Sequence, residues 1–399
     1  MGHVVSTPAG SFRANWRDPT GRQRAQTFST KRAAREHLAR MESAMAAGSY
    51  VDPHGGRIAL IEYAERWAMG HQGERTTRSR DASILRVHVL PRWGDWPLRH
   101  IDHLSVQQWV SELAETRSPA TVRECVRMLR LILASAVRDR LIPHDPTEGV
   151  KVPRRQRADR TEIPLTRTQL RTVLLPAVTP RYRFLVALAA GCGLRWGEAM
   201  GLAMDMVDPD ARRLRVSRVI EEVDGQLRLK PYPKSESGRR TVPLPPLVLE
   251  VLAEHQEMVN PARWNGVDLV SSTTAGTPLS RSVFRQRVWR PALVRAGLLG
   301  TLVELPSGGV RAEWSDRTGQ DVGGIFPTRQ AAEAELVQRA AGGLRFHDLR
   351  HAYATWLISD GVPVNVVQRV MGHSSASTTL NLYVHASSDH DDAVRAILG

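Results

Sequence analysis

Cysteine is nearly absent: the 399 residues contain two, Cys125 and Cys192. Two thiols cannot build a disulfide framework or a four-thiolate zinc site, and both sit inside apolar helical patterns, which fits a reducing cytoplasm. Lysine is almost as scarce. Of the 55 Lys+Arg residues four are lysines (Lys31, Lys151, Lys230 and Lys234), which leaves 51 arginines. Long apolar runs are missing too. The longest, Phe184 to Leu194, is too short to span a bilayer, and the first residues lack the apolar core of a secretory signal, so no membrane partner is expected. The chain has no Gly-x-x-x-x-Gly-Lys-Ser/Thr phosphate loop and no carboxylates clustered to hold two magnesium ions. Nucleotide hydrolysis and two-metal chemistry are therefore excluded, and neither a cofactor nor a metal is expected.

What remains is positive charge. Against 41 acidic residues the net charge is +14, carried almost wholly by arginine. A G+C-rich gene would enrich arginine by itself, but the charge imbalance points further. The planar guanidinium fork matches phosphate, so the partner expected is a nucleic acid.

The fold expected is mainly α with small β-sheets, an α+β chain. Residues 11 to 28 alternate around Asp18-Pro19-Thr20-Gly21, the signature of a hairpin or small sheet, and Ser29-Thr30 offers an N-cap to a helix from Lys31 to Ala47. Residues 1–50 form one module; positions 13 to 40 hold eight Lys/Arg and two Asp/Glu. Arg13, Arg17, Arg22 and Arg24 are its expected DNA contacts, with Arg281 a further one in a later helix. Helical periodicity over 55–150 predicts a second domain, residues 151–162 a basic linker, and residues 163–399 the largest unit. In that unit, strands are expected at 214–220, near 227–229 and at 239–244. Helices are expected at 168–175, 181–190, 246–257, 280–296, 349–360, 363–370 and 391–397.

The chain also repeats itself. Aligning each residue with the one 298 positions later matches Arg13, Ala14, Trp16, Asp18, Thr20, Gly21, Phe28, Thr30, Ala33, Ala34 and Leu38 with their counterparts from Arg311 to Leu336, 11 identities in 28 positions. Average residue usage would give roughly two. Residues 309–340 therefore read as a second copy of the N-terminal module, inserted in the largest domain. The copy has lost the charge: 311–338 carries three arginines against five acidic residues.

Several polar residues interrupt apolar patterns in the last domain. Gly193-Leu194-Arg195-Trp196-Gly197-Glu198 follows a buried helix. His347 and Arg350 stand three apart, on one face of a helix start. Met371-Gly372-His373-Ser374 adds a histidine after a turn, and Tyr383 follows ten residues later.

This order resembles the catalytic domain of the tyrosine recombinases, the phage integrase family. The first arginine box is similar to residues 193–198, the His-x-x-Arg box to His347 with Arg350, and the Leu-Gly-His segment to residues 371–373, with Met in place of Leu. Lys234, ahead of Arg239-Arg240-Thr241-Val242-Pro243-Leu244, resembles the hairpin lysine of the family, with Lys230 as its rival. Gly94-Asp95-Trp96-Pro97-Leu98 is similar to the family's core-binding domain, and the N-terminal module looks like an arm-binding one. The block at 300 to 343 separates the boxes by more than the usual distance.

The resemblance implies a site-specific recombinase with Arg195, Lys234, His347, Arg350, His373 and Tyr383 as catalytic residues and Glu198 supporting Arg195. The chemistry fits those residue types. A tyrosine hydroxyl, with its ordinary pKa of about 10, must lose a proton to attack phosphorus, and flanking cations favour the phenolate. Two arginines receive the charge that grows on the phosphate oxygens. Lys234 can protonate the leaving 5′ oxygen, His347 can act as base, and His373 can donate to the phosphate. The 3′-phosphotyrosyl link keeps the energy of the broken bond, so resealing needs no ATP. The implied assembly is a homotetramer on core and arm sites of double-stranded DNA, with room for a directionality or bending factor. The alternative is a DNA-binding regulator of the same fold with an inactive site. Tyr353, in an apolar stretch one turn after Arg350, reads as core and not as the nucleophile.

Overall fold

The computed structural model describes residues 2–52, 55–153, 165–231, 238–373 and 375. The chain divides into two compact units, Met1–Arg160 and Thr161–Gly399. Among the described residues no helix is long and apolar enough to cross a membrane.

The first unit opens with a three-stranded antiparallel sheet in the order β1 (His3–Ser6), β2 (Phe12–Arg17), β3 (Gln23–Phe28). Its central strand places Ala14 and Trp16 inward, where they meet Ala34, Leu38 and Tyr50. The β2–β3 turn forms because Asp18 Oδ1 accepts from Thr20 N, Thr20 Oγ1 and Arg22 N. Thr30 then caps the helix Lys31–Ala46, its hydroxyl accepting from Ala33 N at 3.2 Å. The rest of the unit is helical: Leu60–Gly70, Arg75–Ile84, His103–Thr116 and Pro119–Arg138 are its longer helices. The last buries Val122, Cys125, Val126, Leu129, Ile132, Leu133 and Ala136, spaced three and four apart, so the stripe read from the sequence is the face that makes the core. The run of arginines at 154–160 lies outside the described residues.

In the second unit the helix Pro180–Cys192 buries every residue from Phe184 to Ala190, which accounts for the longest apolar run in the chain. The segment expected as one strand over 214–220 is two strands in two sheets. β4 (Val207–Asp208), β5 (Arg213–Val216) and β8 (Arg240–Pro243) form one, and the hairpin β6 (Val219–Val223) and β7 (Gln226–Lys230) the other. Leu214 opposite Val242 keeps the first sheet on the core. β9 (Ala262–Trp264) and β10 (Val267–Leu269) form a further hairpin.

The repeat is visible as structure. β11 (Thr301–Glu304), β12 (Val310–Ser315) and β13 (Asp321–Phe326) form an antiparallel sheet in that order, followed by the helix Arg329–Arg339. Each strand begins and ends 298 positions after its counterpart in the first module. Asp316 rebuilds the Asp18 turn, accepting from Thr318 N, Thr318 Oγ1 and Gln320 N, and Thr328 repeats the cap of Thr30. The unit starts at Thr301, a strand ahead of position 309. Its inner face does not form a separate core. Val310, Ala312, Trp314, Ala332 and Leu336 join the main core of the second unit. Buried Arg290 fastens the module by donating to the carbonyls of Leu336, Val337 and Ala340.

One difference between the copies has a measurable cost. Trp16 Nε1 donates to Tyr50 Oη at 3.1 Å, whereas Trp314 Nε1 is buried without a hydrogen-bond partner among the described residues. Trp16→Phe strands a tyrosine hydroxyl, while Trp314→Phe removes an unsatisfied donor. In urea unfolding of the full chain, Trp16→Phe is expected to cost about 1 kcal/mol more than Trp314→Phe; equal losses would contradict this reading.

Candidate active site

Arg195 is positioned by a forced turn. The helix Pro180–Cys192 ends at Gly193, in the left-handed region with φ 64°. A Cβ there would lie 2.7 Å from the Tyr353 ring and 2.9 Å from Met371 Sδ, so no other residue fits. The chain re-enters a short helix, Trp196–Met200, with Arg195 at its N-cap. Arg195 N donates to Glu198 Oε2 at 2.9 Å and Arg195 Nη1 to Glu198 Oε1 at 2.8 Å. Arg195 Nη2 reaches across to the Gly372 carbonyl at 3.0 Å, and its side chain stays 41 % exposed.

Glu198 has a second cationic partner that the motifs did not single out. Arg240, at the start of β8, donates Nη1 to Glu198 Oε1 at 3.1 Å and Nη2 to Oε2 at 2.9 Å, and its Nε to the Val370 carbonyl at 2.6 Å. Both side chains of this pair are buried. The signal in the sequence is slight: Arg240 falls on the same row of its strand as buried Val242.

Arg350 lies on the helix Phe346–Ser359, almost wholly buried. Its Nη1 donates to the Gly193 carbonyl and its Nη2 to the Met371 carbonyl, which ties the first arginine box to the segment ahead of His373. These bonds use two of the five guanidinium N–H donors. His347 sits in the first turn of the same helix, its start fixed by Asp348, which accepts from Arg345 N at 2.8 Å. The His347 ring meets His351 edge to face, centroids 4.8 Å apart. His373 follows Gly372, which ends the helix Val364–Met371 in the left-handed region at φ 61°. The His373 amide donates to the Gln368 carbonyl.

Two guanidiniums thus hold one carboxylate, and a third, Arg350, feels its charge without bonding to it. Burial alone would raise the Glu198 carboxyl, but Arg240 and Arg195 hold it down to about 2, so it is an anion at neutral pH. Burial and the neighbouring Arg195 pull Arg350 down to about 9, still cationic at neutral pH. The surplus positive field falls on the histidines. Burial, with His351, Arg350 and Arg195, pushes His347 down to about 4, and burial with Arg350, Arg195, His351 and Arg240 does the same to His373. Both rings are neutral at pH 7. Because the unfolded chain holds these protons up to the ordinary value of 6.5, the stability they contribute is present above that pH and is lost as pH falls towards 4. Thermal melts of the DNA-free chain should show a lower melting temperature at pH 5 than at pH 7, and a smaller difference in the His347→Gln/His373→Gln double variant. An unchanged difference would contradict the assignment.

Arg195, Glu198, His347, Arg350 and His373 are therefore brought together from positions as far apart as the 190s and the 370s. Lys234 and Tyr383 lie outside the described residues, as does the helix expected at 391–397. Lys230 ends β7, 3.9 Å from Glu221 Oε1. Tyr353 is buried with Ala354, Ile358, Val367 and Met371, and burial pushes its hydroxyl up, away from ionisation. In the first module Arg13, Arg17 and Arg22 are exposed, while Arg24 is held by Asp18 at 2.9 Å and Asp52 at 2.5 Å. Arg281 is exposed, and its backbone N–H donates to Glu222.

Known proteins are similar to this chain in sequence and in fold. The model of the phage integrase family matches residues 324–390. A putative prophage phiRv2 integrase of Mycobacterium tuberculosis is 25% identical over all of this chain and 95% of its own length. An integrase of Streptomyces ambofaciens is 26% identical over 92% of this chain and 86% of its own. Among solved structures, the Tn1549 transposon integrase in complex with a circular intermediate DNA has a TM-score of 0.63 at 19% identity, covering 86% of this chain and 100% of that one. A lambda integrase tetramer bound to a Holliday junction has a TM-score of 0.54 at 16% identity, covering 94% of both. Fold and site define the class, a mixed α/β recombinase fold with clustered Arg and His. In sequence and fold the chain is similar to the phage integrase family of tyrosine recombinases.

Proposed function

We propose that this chain is a cytoplasmic site-specific DNA recombinase that integrates or excises a phage or other mobile element, working as a homotetramer on DNA. The observation that carries the reading is a surplus of positive charge: Arg195 and Arg240 share the carboxylate of Glu198, and buried Arg350 stands within their electrostatic reach. A phosphodiester is the anion that such a field suits, and Arg195 remains partly open to receive one.

Tyr383 Oη attacks the scissile phosphorus, its proton passing to neutral His347. A phosphorus–oxygen bond forms to tyrosine as the bond to the 5′ oxygen breaks, and Lys234 gives the leaving oxygen its proton. Arg195 and Arg350 take up the charge developing on the non-bridging oxygens, and His373 donates one further hydrogen bond. The same steps in reverse, with another strand's 5′ hydroxyl as nucleophile, rejoin the DNA. The basic residues Arg13, Arg17 and Arg22 give the first module phosphate contacts at arm sites. Residues 55–150 and Arg281 contribute to holding the core site. Arg24, already committed to two carboxylates, chiefly stiffens the sheet.

The test uses a pool of nicked suicide duplexes of randomised sequence, from which the cleaved end diffuses away. A protein–DNA adduct that survives denaturation, and forms equally well with a chelator present, is expected. Tight DNA binding without any adduct would select the inactive regulator instead.

A further inference from the structure

The two modules share strand bounds but not their solvent faces. Along β12, Val310, Ala312 and Trp314 point inward, while Arg311, Glu313 and Ser315 are exposed. Beside them β11 exposes Thr301 and Val303, and β13 exposes Asp321, Gly323 and Ile325. The register sets Val303, Arg311 and Ile325 in one cross-strand row and Thr301, Glu313 and Gly323 in the next. Val303 is 51% and Ile325 69% exposed.

The corresponding rows of the first module read Val5, Arg13, Thr27 and then His3, Asn15, Ala25. The second sheet has thus kept one arginine, exchanged Asn15 for Glu313 and Gln23 for Asp321, lost Arg17 to Ser315, and replaced Thr27 by Ile325. The formal charges on the first face are all positive, which suits phosphate. The second face carries an arginine between two exposed apolar side chains, with the Glu313 carboxylate one row along and that of Asp321 a row further. Such a face complements itself: a two-fold axis running across the strands between the two rows lays Arg311 of one copy over Glu313 of the other, and the reverse, while Val303 covers Thr301 and Ile325 covers Gly323 of the other copy. Within one copy Arg311 Nη1 is 4.0 Å from Glu313 Oε1, a loose pairing that exchanges readily for the partner's carboxylate.

We infer that the exposed face of the second sheet is a homotypic contact between two copies of this chain, formed when they lie together on DNA. The inference rests on the reading that copies assemble there. Three strands about 4.8 Å apart and about 20 Å long offer only a few hundred Å², far below the roughly 800 Å² per partner of a stable dimer. The free chain therefore stays apart, and DNA supplies the effective concentration that closes the contact.

Cross-linking through a single added thiol tests it. Cys125 and Cys192 are fully buried, so Thr301→Cys provides the one exposed thiol among the described residues, placed on this face. With a short bis-maleimide, random-sequence duplex should convert the full-length variant to a cross-linked dimer, and omitting DNA should leave it monomeric. Adding Arg311→Glu should cut the yield about tenfold, about the loss of 1.4 kcal/mol, and Arg311→Glu with Glu313→Arg should restore it. A yield indifferent to Arg311→Glu, or no dependence on DNA, overturns the inference. So does weaker duplex binding with a flatter salt slope in Arg311→Glu, which would make the face a DNA contact. Covalent adduct formation by the same samples reports separately on recombinase chemistry, so adduct without cross-linked dimer fails this inference alone.

Discussion

Tyr383→Phe is expected to abolish covalent attachment to DNA while leaving duplex affinity within about twofold, since one oxygen is lost and little volume. Removing a nucleophile commonly costs several orders of magnitude in rate, so adduct formation should fall by at least about 10³-fold. Tyr353→Phe should leave adduct formation near wild type. Tyr353 packs against Gly193 and Met371, and burial keeps its hydroxyl protonated. Retained adduct in the Tyr383 variant, or its loss in the Tyr353 variant, would reverse the assignment of the nucleophile.

The second large effect belongs to Arg240. Arg240→Ala leaves Glu198 buried with a single exposed partner, and breaking a buried pair by removing one member costs about 3–5 kcal/mol. Two consequences are expected. Stability falls by that order in denaturant unfolding of the second unit, and Arg195 loses the fixed carboxylate that orients it. Arg240→Lys keeps the charge without the fork and should recover stability more fully than cleavage rate. Glu198→Gln in the Arg240→Ala background should cost less than the sum of the two single changes, because the stranded charge is then gone. Strict additivity would show that the pair does not act as a unit.

The same residues show what the sequence can and cannot reveal. Arg195, His347, Arg350 and His373 stood out in the sequence because each interrupts an apolar pattern within a short segment, and the fold brings the four together. Arg240 was not, since its partners Glu198 and Val370 are remote in sequence and only the folded strand brings them within hydrogen-bond distance. The repeat could be read from its aromatic and turn residues. β11 escaped because Thr301–Glu304 shares only Val303 with His3–Ser6, and a strand in a small sheet is specified mainly by its neighbour. The segment 214–220 looked continuous because both of its parts are apolar and β-branched; that β5 pairs with β8 and β6 with β7 is a matter of long-range register. Arg24 illustrates the converse. Counted with its neighbours it is one more basic residue, yet Asp18 and Asp52 fold it into the module.

In the proposed reaction a tyrosine of this chain becomes joined to the 3′ end of a cut DNA strand. Digesting the trapped adduct with protease and nuclease and sequencing the modified peptide by mass spectrometry tests it most directly. A nucleotide 3′-phosphate on Tyr383, in the peptide that follows His373, is the expected result. A nucleotide on Tyr353, a linkage through the 5′ phosphate, or DNA cut with no covalent peptide at all would contradict it.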